Sequence, residues 1–189
     1  MRKFSFLCMI FVCIFSSAQS SFDTYFNGKR LRMDFALSGN VEVQTAALMS
    51  LREEPVWGGP RENLIDPFGY GGYLLEVYDK ASGKLIYSRG FNTLFEEWRT
   101  TGQARSETQA WVNNIVMPYP HQPVTSVLLA HNRSTNEKDT LMVLDIDPSS
   151  IFIDRSPLDN HPVVNIQVKG QPSEKVDLVF LAEGYTVSE

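Results

Sequence analysis

The chain has 189 residues, of which 43% are hydrophobic and 21% are charged. This composition is typical of a globular protein and excludes a disordered or fibrous one. The 17 Lys and Arg against 22 Asp and Glu give a net charge of -5 with no basic cluster, so we do not expect a nucleic-acid partner, because Lys and Arg on phosphate dominate that affinity.

The first predicted element is a signal peptide over residues 1–18. Two basic residues precede the apolar run 4–15, and the small residues Ser16, Ser17 and Ala18, of the kind that signal peptidase accepts, follow it. The run is too short to cross about 30 Å of hydrocarbon as a helix, so we expect no transmembrane anchor. We therefore expect export, with the protein ending in the periplasm, at the cell surface or outside the cell.

Both cysteines of the chain, Cys8 and Cys13, lie in this removable segment. The residues directly before Cys13 are bulky, which argues against a lipid-modified cysteine. The mature chain is therefore expected to contain no disulfide, no thiolate metal site and no thiol nucleophile, although an exported protein can use disulfides.

Residues 19–155 predict a domain of short strands separated by turns. The clearest strand covers 31–37, where apolar and polar residues alternate with a period of two. Asn27-Gly28 precedes it and predicts a hairpin over 22–37, because this dipeptide tolerates the positive φ of a tight turn. Further strands are predicted at 41–49, 73–78, 84–88, 111–117, 124–131 and 141–146.

Seven or eight short strands without intervening helices predict two antiparallel sheets packed face to face. We therefore expect an all-β domain, an immunoglobulin-like antiparallel β-sandwich. Val, Ile, Thr, Tyr and Phe are frequent in these segments, as they are in strands generally. One segment, 93–99, fits a short helix or a charged loop equally well.

The composition changes at 156–162, where two X-Pro pairs predict a linker. Residues 163–189 then read as the opening strands of a truncated α/β domain. The run 176–181 is apolar on both faces, which is typical of a strand covered on both sides. Because one strand pair cannot bury its own apolar face, either a larger protein continues beyond it or these strands pack on the sandwich.

No residue pattern predicts a catalytic or metal-binding site in this chain. The three histidines, His121, His131 and His161, are never four residues apart, and neither an H-E-x-x-H helix nor a G-x-S-x-G elbow occurs. Asp145 and Asp147 share one face of a predicted strand end and offer two oxygen ligands to calcium, but solvated carboxylates are the simpler interpretation.

The candidate contact surface is the Gly-rich aromatic stretch 57–73. Four of its rings, Trp57, Phe68, Tyr70 and Tyr73, are candidates to contact a substrate or partner such as a sugar or a peptide. The alternative is that the rings plug the end of the sandwich. A phosphate-binding loop would open a helix, whereas this stretch leads into a strand, which argues against a nucleotide.

Several of these segments resemble one known family. The run 176–186, VDLVFLAEGYT, resembles the opening of the catalytic domain in the IgA peptidase family of secreted zinc metallopeptidases. The stretches similar to that family's N-terminal domain are 22–26, 30–34, 68–73 and 118–120. The resemblance implies an immunoglobulin-like sandwich for this part and peptide-bond hydrolysis by a zinc-activated water for the family.

The family's zinc-binding H-E-x-x-H helix is expected beyond residue 189. The resemblance therefore implies zinc only in a catalytic domain missing from this chain, and it assigns no catalytic, cofactor-binding or metal-binding residue here. Whether the chain counts as an enzyme depends on that missing domain. By itself it is expected to be inactive.

The leading hypothesis is an exported N-terminal accessory domain that packs on the catalytic domain of the same protein and helps to position a protein substrate. The alternative is a stand-alone secreted β-sandwich that binds glycan or protein. That alternative predicts that 163–181 close onto the sandwich as extra strands and that Trp57, Tyr70 and Tyr73 form an exposed platform. An inhibitor or stalk module is neither supported nor excluded.

Overall fold

The computed structural model describes residues 21–132, 135, 137–158, 164–170, 175 and 178. Helix α1 (Ser21–Tyr25) opens the described part, and α2 (Leu94–Arg99) and a 3-10 turn (Gln103–Arg105) follow β4. The strands are β1 (Phe26–Gly39), β2 (Gln44–Glu54), β3 (Tyr73–Asp79), β4 (Leu85–Phe91), β5 (Gln109–Pro120), β6 (Val124–Asn132), β7 (Glu137–Ile146) and β8 (Ile153–Asp154). Among these residues, no helix has the length and apolar character needed to span a membrane.

The strands form two four-stranded sheets. Sheet A has the order β5-β1-β2-β8, and sheet B has the order β4-β3-β6-β7. The ladders are antiparallel except for the short β2–β8 pairing, in which Leu51 and Arg52 lie opposite Ile153 and Asp154 in parallel register. The all-β antiparallel sandwich predicted from the sequence is confirmed.

One hydrophobic core lies between the two sheets. The alternation predicted at 31–37 is confirmed, because its four apolar side chains all point into this core and its polar ones point outward. From sheet B, β3 and β6 supply the facing layer. The central buried side chains are Leu31, Met33, Phe35, Leu37, Tyr73, Leu75, Val77 and Leu128.

The hairpin predicted over 22–37 is wrong. Its first arm forms α1, which places Phe22 and Phe26 one helical turn apart in the core with ring centroids 5.8 Å from each other. Strand β1 then continues through Asn27-Gly28 without reversing direction. The pairing with β5 shifts register between Phe26 and Arg30, so the dipeptide forms an irregularity in a strand instead of a turn.

The strand predicted at 41–49 begins later, at the start of β2, and its predicted apolar face points to solvent. Gly39 pairs with Gln44, so Ala46 lies beside Leu37 and faces the core, whereas Val43 and Met49 are exposed. The preceding turn requires glycine at position 39, where φ is +148° and a Cβ would lie 2.0 Å from the carbonyl oxygen of Val43.

The segment 93–99 forms the short helix α2, with Thr93 as its N-cap. The Thr93 hydroxyl oxygen accepts a hydrogen bond from the backbone N–H of Glu96 at 3.1 Å. Phe95 and Trp98 are buried on its inner face, which anchors the helix to the core. The helical interpretation is therefore confirmed over the charged loop.

Most of the region predicted to open a second domain lies outside the described residues, as do the predicted signal peptide and nearly all of 176–181. Residues 155–158 after β8 have no regular secondary structure, and the predicted boundary at 156–162 stays a prediction. The described apolar side chains beyond it, those of Val164, Ile166, Val168 and Leu178, are exposed to solvent.

Candidate functional site

The four aromatic residues proposed as contacts divide into two pairs. Trp57 and Tyr73 are 5% and 1% exposed, whereas Phe68 and Tyr70 are 70% and 76% exposed. The exposed platform of Trp57, Tyr70 and Tyr73 is therefore wrong, because two of its rings lie in the core. The surface that remains consists of Phe68 and Tyr70, and its role in contacting a partner stays a prediction.

The two buried rings have packing and hydrogen-bonding partners inside the sandwich. Trp57 lies edge-on to Tyr87 with ring centroids 6.0 Å apart, and its indole N–H donates to the carbonyl oxygen of Pro60 at 3.0 Å. Tyr73 stacks on Phe91 at 5.6 Å. Burial raises the pKa of the Tyr73 hydroxyl. For these two residues, the alternative that the rings plug the sandwich is confirmed.

The exposed rings stack on one another and form the Phe68–Tyr70 pair. Their centroids are 5.5 Å apart and their planes differ by 14°. Stacked aromatic rings give a large, flat contact area with few rotatable bonds, and partners often bind such surfaces. The pair is thus a preformed hydrophobic platform on the loop between β2 and β3.

The carboxylate of Asp66 holds this loop against sheet B. One of its oxygens accepts from the backbone N–H of Phe68 at 2.9 Å and of Gly69 at 3.2 Å, and the other accepts from the N–H of Gly90 at 2.9 Å. Burial raises the pKa of Asp66, but the backbone donors together outweigh it and hold that pKa below its ordinary value.

The backbone of this loop also lies very close to the backbone of β4. Gly71 has φ +108°, and a Cβ there would lie 2.5 Å from the carbonyl oxygen of Phe91. A Cβ on Gly90 would lie 2.0 Å from the carbonyl oxygen of Tyr70. Only glycine fits at these positions, which lets the backbone of the loop lie directly against β4.

The outer face of sheet A carries an ion-pair cluster that the sequence did not reveal. Glu54 is buried there, and its carboxylate contacts the guanidinium groups of Arg30 and Arg32. Arg32 also contacts Asp34 at 2.7 Å. The alternation of β1 places the two arginines on one face, but their partner follows only from the β1–β2 register. These charges neutralise each other, so the cluster is structural.

No group of three His, Cys, Asp or Glu side chains could hold a metal ion among the described residues. Asp145 receives hydrogen bonds from Lys80 and from Thr125, each at 2.7 Å. The Lys80 hydrogen bond is the main cause that lowers the pKa of Asp145. Asp147 instead accepts from the backbone and hydroxyl of Ser149. The two carboxylates therefore have separate partners.

Comparison with known protein families identifies a match for most of this chain. A family model described as Peptidase M64 N-terminus matches residues 21–142, which is more than half of the sequence. The match begins at α1 and ends within β7, so it includes strands of both sheets and the loop with the Phe68–Tyr70 pair. Among curated proteins, none matches the chain.

Proposed function

The chain belongs to the peptidase M64 N-terminus family, and from this premise we propose that it is the N-terminal accessory domain of an IgA-peptidase-type zinc metallopeptidase. The family match over 21–142 is the observation that carries the proposal. The match supports an accessory role because it is to the N-terminal part of such peptidases.

In this proposal the domain does not cleave peptides itself. Zinc-dependent hydrolysis needs imidazole and carboxylate ligands that converge on one ion and leave a position for water. The sequence has three histidines, at positions 121, 131 and 161, and none of them belongs to an H-E-x-x-H motif. Zinc and the catalytic residues would belong to a peptidase domain that follows this one in the same protein.

The proposal includes export of the protein. The basic start, the apolar run 4–15 and the small residues at 16–18 support removal of a signal peptide after residue 18. N-terminal sequencing of the secreted protein would read Gln19 first. The final location would be the periplasm, the cell surface or the exterior.

The role proposed for the domain is to pack on the peptidase domain and to help position a protein substrate. The Phe68–Tyr70 pair is the candidate substrate contact, because both rings are exposed while the loop beneath them is held by Asp66. A rigid aromatic surface binds with little loss of conformational entropy.

Activity measurements on the purified chain test the non-catalytic half of the proposal. We expect no cleavage of casein, with or without added Zn²⁺. The matched control is the variant His121→Ala, His131→Ala, His161→Ala, purified in the same way, in which cleavage cannot come from zinc held by a histidine of this chain. Chelator-sensitive cleavage by the natural chain that is absent from this variant would contradict the proposal.

A second candidate is a stand-alone β-sandwich that binds glycan or protein, which the exposed Phe68–Tyr70 pair favours. The nucleotide sequence downstream of codon 189 separates the two candidates. An in-frame continuation that encodes H-E-x-x-H supports the accessory domain. A stop codon followed by unrelated sequence contradicts it and leaves the binding module.

A further inference from the structure

One side of the sandwich, between β2 and β7, is incompletely covered. Nine partly buried hydrophobic residues pack against the core, and five of them lie on these two strands. The five are Ala46, Leu51, Leu141, Met142 and Leu144. Each contacts the core but retains exposed apolar surface, whereas additional cover would remove that surface from water and stabilise the fold.

The edge of β2 is also open along this side. Strand β8 pairs only with Leu51 and Arg52, and no other described strand pairs with the outer edge of 44–50. This stretch contains no charged residue, although open edges in natural sheets are usually protected by charges. The open edge of β7 does carry such charges, in Glu137, Lys138 and Asp139. The outer edge of β5 is also uncharged and pairs with no described strand, so the choice of β2 rests on the open apolar side between β2 and β7.

The outer edge of β4 shows how this fold covers an edge elsewhere. The backbone N–H of Ser88 donates to the carbonyl oxygen of Leu64 at 2.9 Å, and that of Gly90 donates to Asp66. The loop before β3 therefore satisfies donors along β4. The uncharged edge at 44–50 has no equivalent among the described residues, so it can accept an additional strand.

The described segment 164–170 has the pattern of such a strand. Val164, Ile166 and Val168 are 86%, 81% and 80% exposed, and they alternate with Asn165 and Gln167. Two β-branched valines and an isoleucine at a period of two give one apolar face, which an isolated segment cannot bury. The segment therefore needs a sheet edge with apolar side chains beside it.

We propose that residues 164–168 add to sheet A as an edge strand, antiparallel to β2 across 44–48, with the side chains of Val164, Ile166 and Val168 covering the open side between β2 and β7. The register of β2 fits this arrangement, because Ala46 and Leu48 lie opposite Leu37 and Phe35 and share their core-facing side. The docked strand would extend the core, and its polar residues would face solvent.

The chain length permits this docking. Strand β8 runs parallel to β2, so the chain leaves the sandwich near Glu54 and must return in the opposite direction. Residue 164, the first of the docked strand, would lie beside Leu48, which is four residues, or about 13 Å, back along β2 from Arg52. Positions 154 and 164 are ten residues apart, and an extended chain of that length spans about 33 Å. The connection is long enough to reverse direction and reach 44–48.

The inference does not depend on the proposed function and does not decide between the two candidates, because it concerns only 164–168, whereas the stand-alone sandwich predicts that all of 163–181 close onto the domain. Its test is a disulfide that can form only if the two segments are adjacent, since the Cα atoms must lie within about 7 Å. In a background of Cys8→Ser and Cys13→Ser, Ala47→Cys is combined with Asn165→Cys or with Gln167→Cys. These positions lie on the outward faces in the proposed arrangement.

The matched control replaces Ala47→Cys with Val112→Cys on β5. Ala36 pairs with Ala47 on one side and with Val112 on the other, so both positions face outward at the same level of sheet A. Val112 is two strand spacings from Ala47, and so about 14 Å from a strand docked on β2. We expect disulfide formation at least about tenfold faster with Ala47→Cys, because docking raises the local thiol concentration.

Equal, slow oxidation in both pairs would overturn the inference, and so would disulfides that link two chains instead of one.

Hydrogen exchange gives a second test that needs no introduced cysteine, because it compares the natural chain with a variant of the proposed strand. We expect amides of 44–50 to exchange faster in Ile166→Asp, with no change at 109–117. If docking fails while the casein assay stays negative, the docking inference is wrong but the non-catalytic role remains supported. Cleavage by a chain that does dock would instead refute the non-catalytic role.

Discussion

Asp66 shows how one carboxylate determines the position of two side chains that do not touch it. Its oxygens accept three backbone N–H groups, from Phe68, Gly69 and Gly90, which ties the exposed loop to β4. Without these acceptors, partly buried N–H groups would lose their partners. Asp66 therefore helps to place the backbone of Phe68 where its ring stacks on Tyr70.

Replacing Asp66 tests this dependence. We expect Asp66→Ala to lower the free energy of unfolding by about 1–3 kcal/mol, because three N–H groups lose a charged acceptor. Asp66→Asn is the control and should lose less, since its amide oxygen can still accept from Phe68 and Gly69, although its NH2 group cannot accept from Gly90. Urea denaturation at neutral pH measures both. An Asp66→Ala variant as stable as the natural chain would contradict this account of the loop.

The stability contributed by Asp66 also has a defined pH dependence. Its folded pKa lies below the ordinary value of 3.8, so the contribution is present above that value and is lost as the pH falls below it. The difference in unfolding free energy between the natural chain and Asp66→Ala should therefore shrink in urea melts near about pH 3. A difference that grows on acidification would have the wrong sign.

The four aromatic residues of 57–73 show how much can be predicted from residue type alone. Their frequency identified a candidate surface, but residue type alone does not distinguish a buried ring from an exposed one. Trp57 and Tyr73 have partners inside the sandwich, in Tyr87 and Phe91. Which rings are covered depends on contacts between segments distant in sequence, so the division became visible only in the structure.

At the scale of elements, side-chain contacts of Arg155 hold the shortest strand, β8, in place. Strand β8 has two residues, and Arg155 directly follows it. The Arg155 guanidinium donates to the carbonyl oxygens of Pro148 at 2.7 Å and Ser150 at 2.9 Å, and to the Tyr119 hydroxyl at 3.2 Å. It also pairs with Glu53 of β2 at 3.3 Å. One planar group thus connects the 148–155 segment to β2 and β5.

Arg155→Ala is therefore expected to loosen β8 without unfolding the sandwich. The amide of Ile153 should exchange hydrogen at least roughly threefold faster, because local opening no longer breaks these bonds. Arg155→Lys is the control and should not restore protection, since one ammonium cannot replace a planar fork of donors. The Ile153 amide donates to the carbonyl oxygen of Ser150, to which Arg155 also donates, so unchanged exchange at Ile153 in Arg155→Ala would show that this turn holds without the guanidinium.

Strand prediction succeeded where one face of a strand is buried and failed where it is not. The alternation at 31–37 matches β1 because that strand lies inside sheet A and covers the core. At 41–49 the alternation was equally regular, yet it pointed the wrong way, because the Gly39–Gln44 pairing and not the apolar pattern determines the register of β2. The hairpin predicted at 22–37 was wrong because helix α1 places Phe22 beside Phe26 in the core.

At the scale of the whole molecule, both sheets share one core, so they should unfold together. Phe35→Ala, in the core, is expected to cost about 3–5 kcal/mol. Val112→Ala, an exposed apolar position on the same sheet, should change stability by less than about 0.5 kcal/mol. Urea melts followed by circular dichroism and by Trp fluorescence measure both, and their transitions should coincide. Separate transitions would show that the sheets unfold independently.

The sequence by itself determined the fold class, the family resemblance and the approximate places of most strands, because period-two patterns and turn residues act over a few neighbouring positions. Only the tertiary structure decided which apolar faces point inward, that Glu54 meets Arg30 and Arg32, that Phe68 and Tyr70 remain exposed, and that no described strand pairs with the outer edge of β2 over 44–50. These features depend on strand register and on contacts between distant segments, which local patterns do not encode.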